Sequence, residues 1–458
     1  MIPARLRALL GSAASVGAGY LILGGAGYLF LAVASRVFDE AAYAALASVY
    51  LLVNIIGPGL FAAVEQETSR HVSTRLARGE DPRPVIRQLA VLSAALFGGV
   101  AVVTLALAPV LLPDVLHGNA VLLVGLLVAS ASYAVVSVTR GNFGGRHAFG
   151  RYGTSVGTEG GVRLAAGVVL AALALGGAAV AGGASAYGLV FCLAPLVAVL
   201  VTAPWFRRDV RGAADEATGP SGAPGQPGSP AQRPSLRALL PGVGLLTVAW
   251  GLSLAIANAA PVVVSALLPN DAAGAATAAT FSSAVVLARI PLFVFQGAQS
   301  LVLPSFARAA AAADPGALRR AVRPALLLVA AVGVLALAVS AVLGNWLGRI
   351  AFGPTFTSSD ALVTALMLGT VGGMAVQIVQ PALLALGRHR WVAGGWVVGA
   401  VVFAGAFVLP FAPVTDAVIA QLASAAATIG VLGAVLIRAL RRPSPAPAHQ
   451  EFSDVQPA

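Results

Sequence analysis

The chain has 458 residues, 58% of them hydrophobic and only 10% charged, with a formal net charge of +11. Soluble domains carry about 25% charged residues, so a water-soluble globular protein is excluded, and the cationic excess reads as membrane topology rather than nucleic-acid binding. All 28 positive side chains are arginine; without lysine there is no Walker A loop, which argues against an ATP-driven pump.

Cys192 is the single cysteine, so neither an internal disulfide nor a cysteine metal site is expected. The five histidines, at 71, 117, 147, 389 and 449, have no metal-ligand spacing. No metal and no cofactor are expected. The N-terminus resembles a signal peptide, with Ala32-Val33-Ala34 imitating a cleavage site. The apolar run from Ser12 to Ala34 is, however, longer than a signal h-region, and it reads as an uncleaved first span.

Apolar segments bounded by charge or turn residues predict an all-α membrane protein with about twelve spans. They are expected at 12–34, 42–64, 88–112, 119–138, 160–179, 184–204, 238–267, 274–303, 324–346, 358–386, 391–409 and 415–437. Twenty-four arginines fall on one side of this layout, Arg36 and Arg349 on the other, and Arg163 and Arg289 within spans. The positive-inside rule then puts both termini in the cytoplasm. Asp39, Glu40, Asp114, Asp271 and Asp416 sit in the short outer loops.

In chain order, the first span is glycine-rich, which suggests close helix approach, and Tyr20 and Tyr28 read as packing residues. In the second, Asn54 and Glu65 share a face near the break Gly57-Pro58-Gly59, which makes Pro58 a candidate hinge. The Gly-rich basic stretch Gly141–Gly153 reads as a loop that touches lipid headgroups or cargo. Glu159 and Arg163, at i,i+4, read as an interfacial salt bridge at the cytoplasmic start of the fifth span. Residues 212–236 form a Pro/Gly-rich flexible linker, and the tail 441–458 is of similar composition. They separate an N-terminal lobe, 1–211, from a C-terminal lobe, 237–440.

In the seventh span Thr247, Asn258 and Ser265 share a face, with Pro261 as a second candidate hinge. In the eighth, Ser282, Arg289, Gln296 and Ser300 fall within about 40° of one another on a helix. Arg289 is then about 22 Å from either end of its span, and Pro291, a third candidate hinge, weakens the helix beside it. In the tenth span Thr370 and Gln377 share a face beside Gln380-Pro381. The stripes of the second, seventh and tenth spans suit cavity lining or interhelical hydrogen bonds equally.

A shift of 233 residues lays Pro58 on Pro291, Gln66 on Gln299, Arg75 on Arg308, Asp81-Pro82 on Asp314-Pro315 and Arg87 on Arg320. The matched loops share a side, so the halves are parallel repeats. Arg289 aligns with Ile56.

RIPLFVFQGAQSLVLPSFAR (Arg289–Arg308), the basic segment after it, and ASRVFDEAAYAALASVY (Ala34–Tyr50) resemble the polysaccharide and oligosaccharidyl-lipid flippase branch of the multidrug/oligosaccharidyl-lipid/polysaccharide (MOP) exporter superfamily. The six-plus-six layout extends the resemblance over about 430 residues. It implies two parallel six-helix lobes around a central cavity, and alternating-access transport of a polyprenyl-diphosphate-linked saccharide for cell-surface polysaccharide. It also implies a monomer in a bacterial plasma membrane, with membrane lipids around it and a polysaccharide polymerase or glycosyltransferases as candidate partners.

On that reading Arg289 pairs a diphosphate, for which a guanidinium offers a planar donor fork. Ser282, Gln296, Ser300, Asn258, Asn54, Glu65 and Gln377 are the other candidate cavity residues. The bland alternative for Arg289 is snorkelling, or pairing with a buried carbonyl. A cation-coupled drug antiporter of the same superfamily should carry an acid in its first or seventh span, and 11–35 and 238–268 hold none. A membrane glycosyltransferase needs catalytic acids on a sizeable outer loop, and the turn at Asp39-Glu40 is too short for one. A transport-inactive scaffold is a further alternative.

Overall fold

The computed structural model describes residues 4–177, 183–217, 236–292, 306 and 315–441. Among these residues the chain is helical throughout, with no strand. The first half contributes α1 (Ala4–Val37), α2 (Glu40–Asn54), α3 (Ala62–Ala77), α4 (Arg83–Ala106), α5 (Ala120–Gly145), α6 (Phe149–Leu175) and α7 (Gly183–Ala217). The second half contributes α8 (Leu236–Leu267), α9 (Ala272–Leu287), α10 (Pro315–Phe352), α11 (Asp360–Ala385), α12 (His389–Ala406) and α13 (Pro413–Arg441). With α2 and α3 counted as one bent span, there are six spans on either side of 218–235.

Eleven helical stretches are long and apolar enough to cross a bilayer. The remaining helix, α12, has 18 residues and is about 27 Å long. The protein is a multi-pass membrane protein with about twelve spans, as the hydropathy pattern predicts. The acids of the short arginine-poor connections have a local role. Asp39 accepts from the Ala42 amide at 2.8 Å and caps α2, and Asp271 accepts from the Gly274 amide at 2.7 Å and caps α9.

Several boundaries differ from expectation. The fifth span begins at Phe149, eleven residues before the predicted 160. Gly141–Gly153 is therefore no headgroup loop: it is the end of α5, a short turn and the start of α6. Its glycines serve helix contact. A Cβ on Gly141 would lie 2.6 Å from the Glu65 carbonyl oxygen, and one on Gly145 would lie 2.7 Å from that of Ser69, both on α3. On α6, a Cβ on Gly160 would lie 2.6 Å from the Leu23 nitrogen of α1. The arginines of this stretch are engaged too. Arg151 pairs with Asp209 of α7 at 2.7 Å, and Arg146 donates to the Asp209 carbonyl at 2.9 Å. The expected linker is entered by α7, which runs to Ala217; 218–235 and the tail beyond Arg441 lie outside the described residues.

The second and eighth spans are interrupted. Residues Ile55–Leu60, around Pro58, form a π-helical turn between α2 and α3. A Cβ on Gly57 would meet the Tyr133 ring at 2.4 Å, so only glycine fits there. The eighth span is not one helix through 303. α9 ends at Leu287, and a turn at Ala288–Arg289 precedes helical residues 290–292. Pro291 lacks an amide hydrogen, so the Leu287 carbonyl has no i+4 donor. Under the 233-residue shift, 288–289 fall on 55–56, so both interruptions lie at equivalent positions of the two halves. Pro261, by contrast, lies within continuous α8.

The α1–α6 contact depends on small residues. Gly160→Val should drive a side chain into the α1 backbone and cost about 1–3 kcal/mol, read as a lower unfolding temperature in detergent. Gly161→Ala, where nothing lies within 4 Å of the added carbon, should be neutral.

Candidate functional site

Two polar clusters stand inside the apolar bundle. The first is built around Arg289. Its Nη1 donates to Oδ1 of Asn258 on α8 at 2.7 Å. Asn258 is buried, and its own amide donates to the Leu254 carbonyl at 2.8 Å, which orients the oxygen toward the arginine. Tyr28 of α1 and Tyr50 of α2 are the phenols within electrostatic reach of the guanidinium. Tyr28 donates to the Val286 carbonyl at 2.5 Å, and Asn54 donates to that of Tyr50 at 2.8 Å. Both halves of the chain thus contribute to the surroundings of Arg289. Among the described residues the buried Nη2 atom has no hydrogen-bond partner. No carboxylate pairs with Arg289 among the described residues.

The other predicted residues are distributed unevenly. Ser282 is buried on α9, and its neighbour Ser283 is the one that crosses the halves, bonded to Tyr43 at 2.7 Å. Gln296 and Ser300 lie outside the described residues. The spacing that joined them to Arg289 assumed one straight helix, which the turn at Ala288–Arg289 breaks. Gln377 is part-buried on α11, where the adjacent Gln380 accepts from the Trp396 indole at 2.8 Å. Pro58 is exposed in its π-helical turn, whereas Pro261 is buried.

The second cluster lies wholly in the first half. Glu159 has no exposed side-chain surface, and it pairs with Arg163 at 2.9 Å and with Arg140 of α5 at 2.7 Å. The expected Glu159–Arg163 pair therefore exists, but it is buried rather than interfacial. The two residues lie about 15 Å and 21 Å along α6. Tyr133 donates a short hydrogen bond to Glu159 and accepts one from Arg163 at 3.3 Å. Arg140 also donates to the Ser155 hydroxyl at 3.0 Å, and the Arg163 guanidinium lies 4.0 Å over the Phe191 ring. Glu65, from the second span, accepts from Tyr152 at 2.6 Å, and Tyr152 bonds Tyr20 of α1 at 2.9 Å. The cluster thus gathers two acids, Glu65 and Glu159, with two guanidinium groups, Arg140 and Arg163.

Arg140, Tyr133, Tyr152 and Ser155 were not singled out from the sequence. A signal existed: Tyr152, Ser155, Glu159 and Arg163 recur at spacings of three, four and four, one face of a helix. It becomes visible only when α6 is started at Phe149.

No protein-family model matches the chain. A segment of 117 residues is 37% identical to an uncharacterized protein of Mycobacterium tuberculosis (strain ATCC 25618 / H37Rv), covering 25% of this chain and 26% of that protein. The chain thus matches only about a quarter of that relative's length. A second uncharacterized protein of the same strain is 26% identical over 444 residues, covering 93% of this chain and 92% of its own. Among solved structures, the inward-facing conformation of a multidrug resistance MATE family transporter of the MOP superfamily is similar with a TM-score of 0.64 at 14% identity, covering 92% of this chain and 98% of that one. A mutant of the Vibrio cholerae MATE transporter VcmN is similar with a TM-score of 0.59 at 16% identity, covering 94% and 96%. A MOP superfamily transporter from Pyrococcus furiosus, described as having a binding pocket of reverse polarity, is similar with a TM-score of 0.59 at 15% identity, covering 94% of this chain and 96% of that one. At these identities the likeness concerns architecture: the chain has the fold of MATE transporters of the MOP superfamily.

Removing one partner of a buried ion pair strands the other. Glu159→Ala should therefore cost about 3–5 kcal/mol, read as a large drop in detergent unfolding temperature. Arg151→Ala, which removes a half-exposed pair with Asp209, should cost about 0–1 kcal/mol.

Proposed function

We propose that this protein is an alternating-access transporter that carries a polyprenyl-diphosphate-linked saccharide from the inner to the outer leaflet of a bacterial plasma membrane. The observation that carries the reading is Arg289. It is a guanidinium inside a membrane span, at a break in its helix, with groups of both halves around it and one buried nitrogen without a partner among the described residues. A charge there costs about 2.5–3.5 kcal/mol on insertion scales and marks a functional position by default. Hydrogen bonding to Asn258 leaves its charge uncompensated, and a diphosphate supplies both the missing charge and the missing acceptors.

In this reading residues up to 211 and from 237 to 440 act as two lobes around a cavity, with both termini in the cytoplasm. Arg289 holds the diphosphate near mid-membrane while the polyprenyl chain stays in lipid. The interruptions at Pro58 and Pro291 are the flexible points between the two access states. Enzymes that assemble or polymerise the saccharide are the natural partners.

The likeness of the fold to multidrug resistance transporters makes drug antiport the second reading. Cationic drugs are disfavoured by the positive Arg289. Energy coupling nonetheless has a candidate group that the first and seventh spans lack. Glu65 is part-buried and chained through Tyr152 to the exposed Tyr20, with Arg140 and Glu159 alongside. A proton reaching Glu65 would change the charge balance of the first-half cluster.

In proteoliposomes, Arg289→Ala should reduce translocation of a fluorescent polyprenyl-diphosphate saccharide to the protein-free rate, with normal insertion and folding. Arg289→Lys keeps the charge but not the fork and should fall between. Translocation at the unmodified rate by the alanine variant would sink the diphosphate reading. Glu65→Gln should leave translocation insensitive to an imposed pH gradient; an unaltered response would remove Glu65 from coupling.

A further inference from the structure

The hydrogen bonds described between the two halves are gathered from mid-membrane to the arginine-poor end. Tyr28 meets Val286 well inside the first span, and Tyr43, in the first turn of α2, meets Ser283. Asn270 donates to the Pro113 carbonyl at 3.2 Å and faces His117 at 3.4 Å near the surface. The densest set lies at the end of α1. There Ser35 donates to the Phe352 carbonyl at 2.8 Å, and the two terminal nitrogens of Arg36 donate to the Ala351 and Ile350 carbonyls.

Those three carbonyls belong to the last turn of α10. The final carbonyls of any helix have no partner within it, and they carry the negative end of its dipole. Gly353 ends α10 with φ +100°, its amide bonded back to Arg349 at 2.9 Å. That leaves Ile350, Ala351 and Phe352 to be satisfied from outside. Ordinarily the cap comes from the helix's own flanking residues or from water. Here an arginine and a serine of the opposite half supply it, so the cap exists only while the two halves are together at this end.

We propose that Ser35 and Arg36 form a reversible latch that closes the outer end of the transporter by capping α10 across the two halves. The chemistry suits a contact that must open. Arg36 is exposed, so water can replace its acceptors on release. Its partners are backbone carbonyls, so opening strands no buried countercharge. The buried Glu159 pairs in the first half have neither property. Arg36 is also one of only two arginines on the arginine-poor side, the other being Arg349 in the same last turn of α10. Release of the latch would free α1 from α10 and expose the α2–α9 contact beneath it. The proposal rests on the alternating-access reading but on no particular cargo.

A cysteine placed at Ala279 reports the seal directly. Ala279 is buried on α9, one turn below Ala275, which lines a cavity of about 490 Å³ with Ala41, Pro113 and His117 between the halves. The native Cys192 is fully buried in the first half and serves as an internal control. In intact cells, a membrane-impermeant maleimide should label Ala279→Cys slowly. Adding Arg36→Ala should raise the rate at least fivefold, Ser35→Ala should raise it less, and Arg36→Lys should fall between. Cys192 should remain unlabelled in all of them. Equal labelling with and without Arg36→Ala overturns the proposal, as does a rise matched by labelling of Cys192, which reports general loosening. If Arg36→Ala fails to accumulate, Ser35→Ala and Arg36→Lys must still show the graded rise for the latch to stand. The assay needs no substrate, so failure of saccharide translocation leaves the latch intact and failure of labelling leaves the cargo reading intact.

Discussion

Glu159, with no exposed side-chain surface, holds Arg140 and Arg163 inside the first half of the bundle. Charges taken out of water are tolerable only when paired and hydrogen-bonded, and much of the first half is arranged around that requirement. Glycines at 141, 145, 153 and 160 let α3, α5, α6 and α1 approach closely enough for short side chains to reach. Gly57, in the π-helical turn, leaves room for the Tyr133 ring, and Tyr133 in turn bonds the carboxylate. Small residues, an irregular turn and a buried ion pair are therefore one structural solution rather than three features.

The two halves differ in how they treat charge. In the first, two acids stand with two arginines. In the second, Arg289 stands with an asparagine and two tyrosines around it and, among the described residues, no acid. The same helix position is Ile56 in the first half. The two halves thus repeat a backbone interruption without repeating the chemistry beside it.

Two of the backbone irregularities lie at equivalent places. The turn at Ile55–Leu60 and the break at Ala288–Arg289 each lie beside a proline of the repeat, Pro58 and Pro291. Proline removes an amide and leaves a carbonyl free, which within a membrane is tolerated only where protein or water can satisfy it. Pro261 has no such effect: buried in α8, it leaves the helix continuous.

The sequence by itself determined the membrane class, the approximate number and order of spans and the 233-residue repeat, because each follows from local hydropathy and spacing; its prolines marked the two interruptions but also Pro261, where the helix is continuous. It also marked Arg289 and the Glu159–Arg163 pair, since a charge in an apolar run is conspicuous. Tertiary structure alone decided what those charges meet. Arg140 looked like a loop arginine because glycine-rich sequence hid the start of α6, and its partner Glu159 lies nineteen residues away on another helix. Asn258 reaches Arg289 across thirty-one residues, and Arg36 reaches α10 across more than three hundred. Such pairings depend on how helices lie against one another, and helix packing in lipid is set by small-residue contacts spread over several segments, which no single stretch of the chain displays.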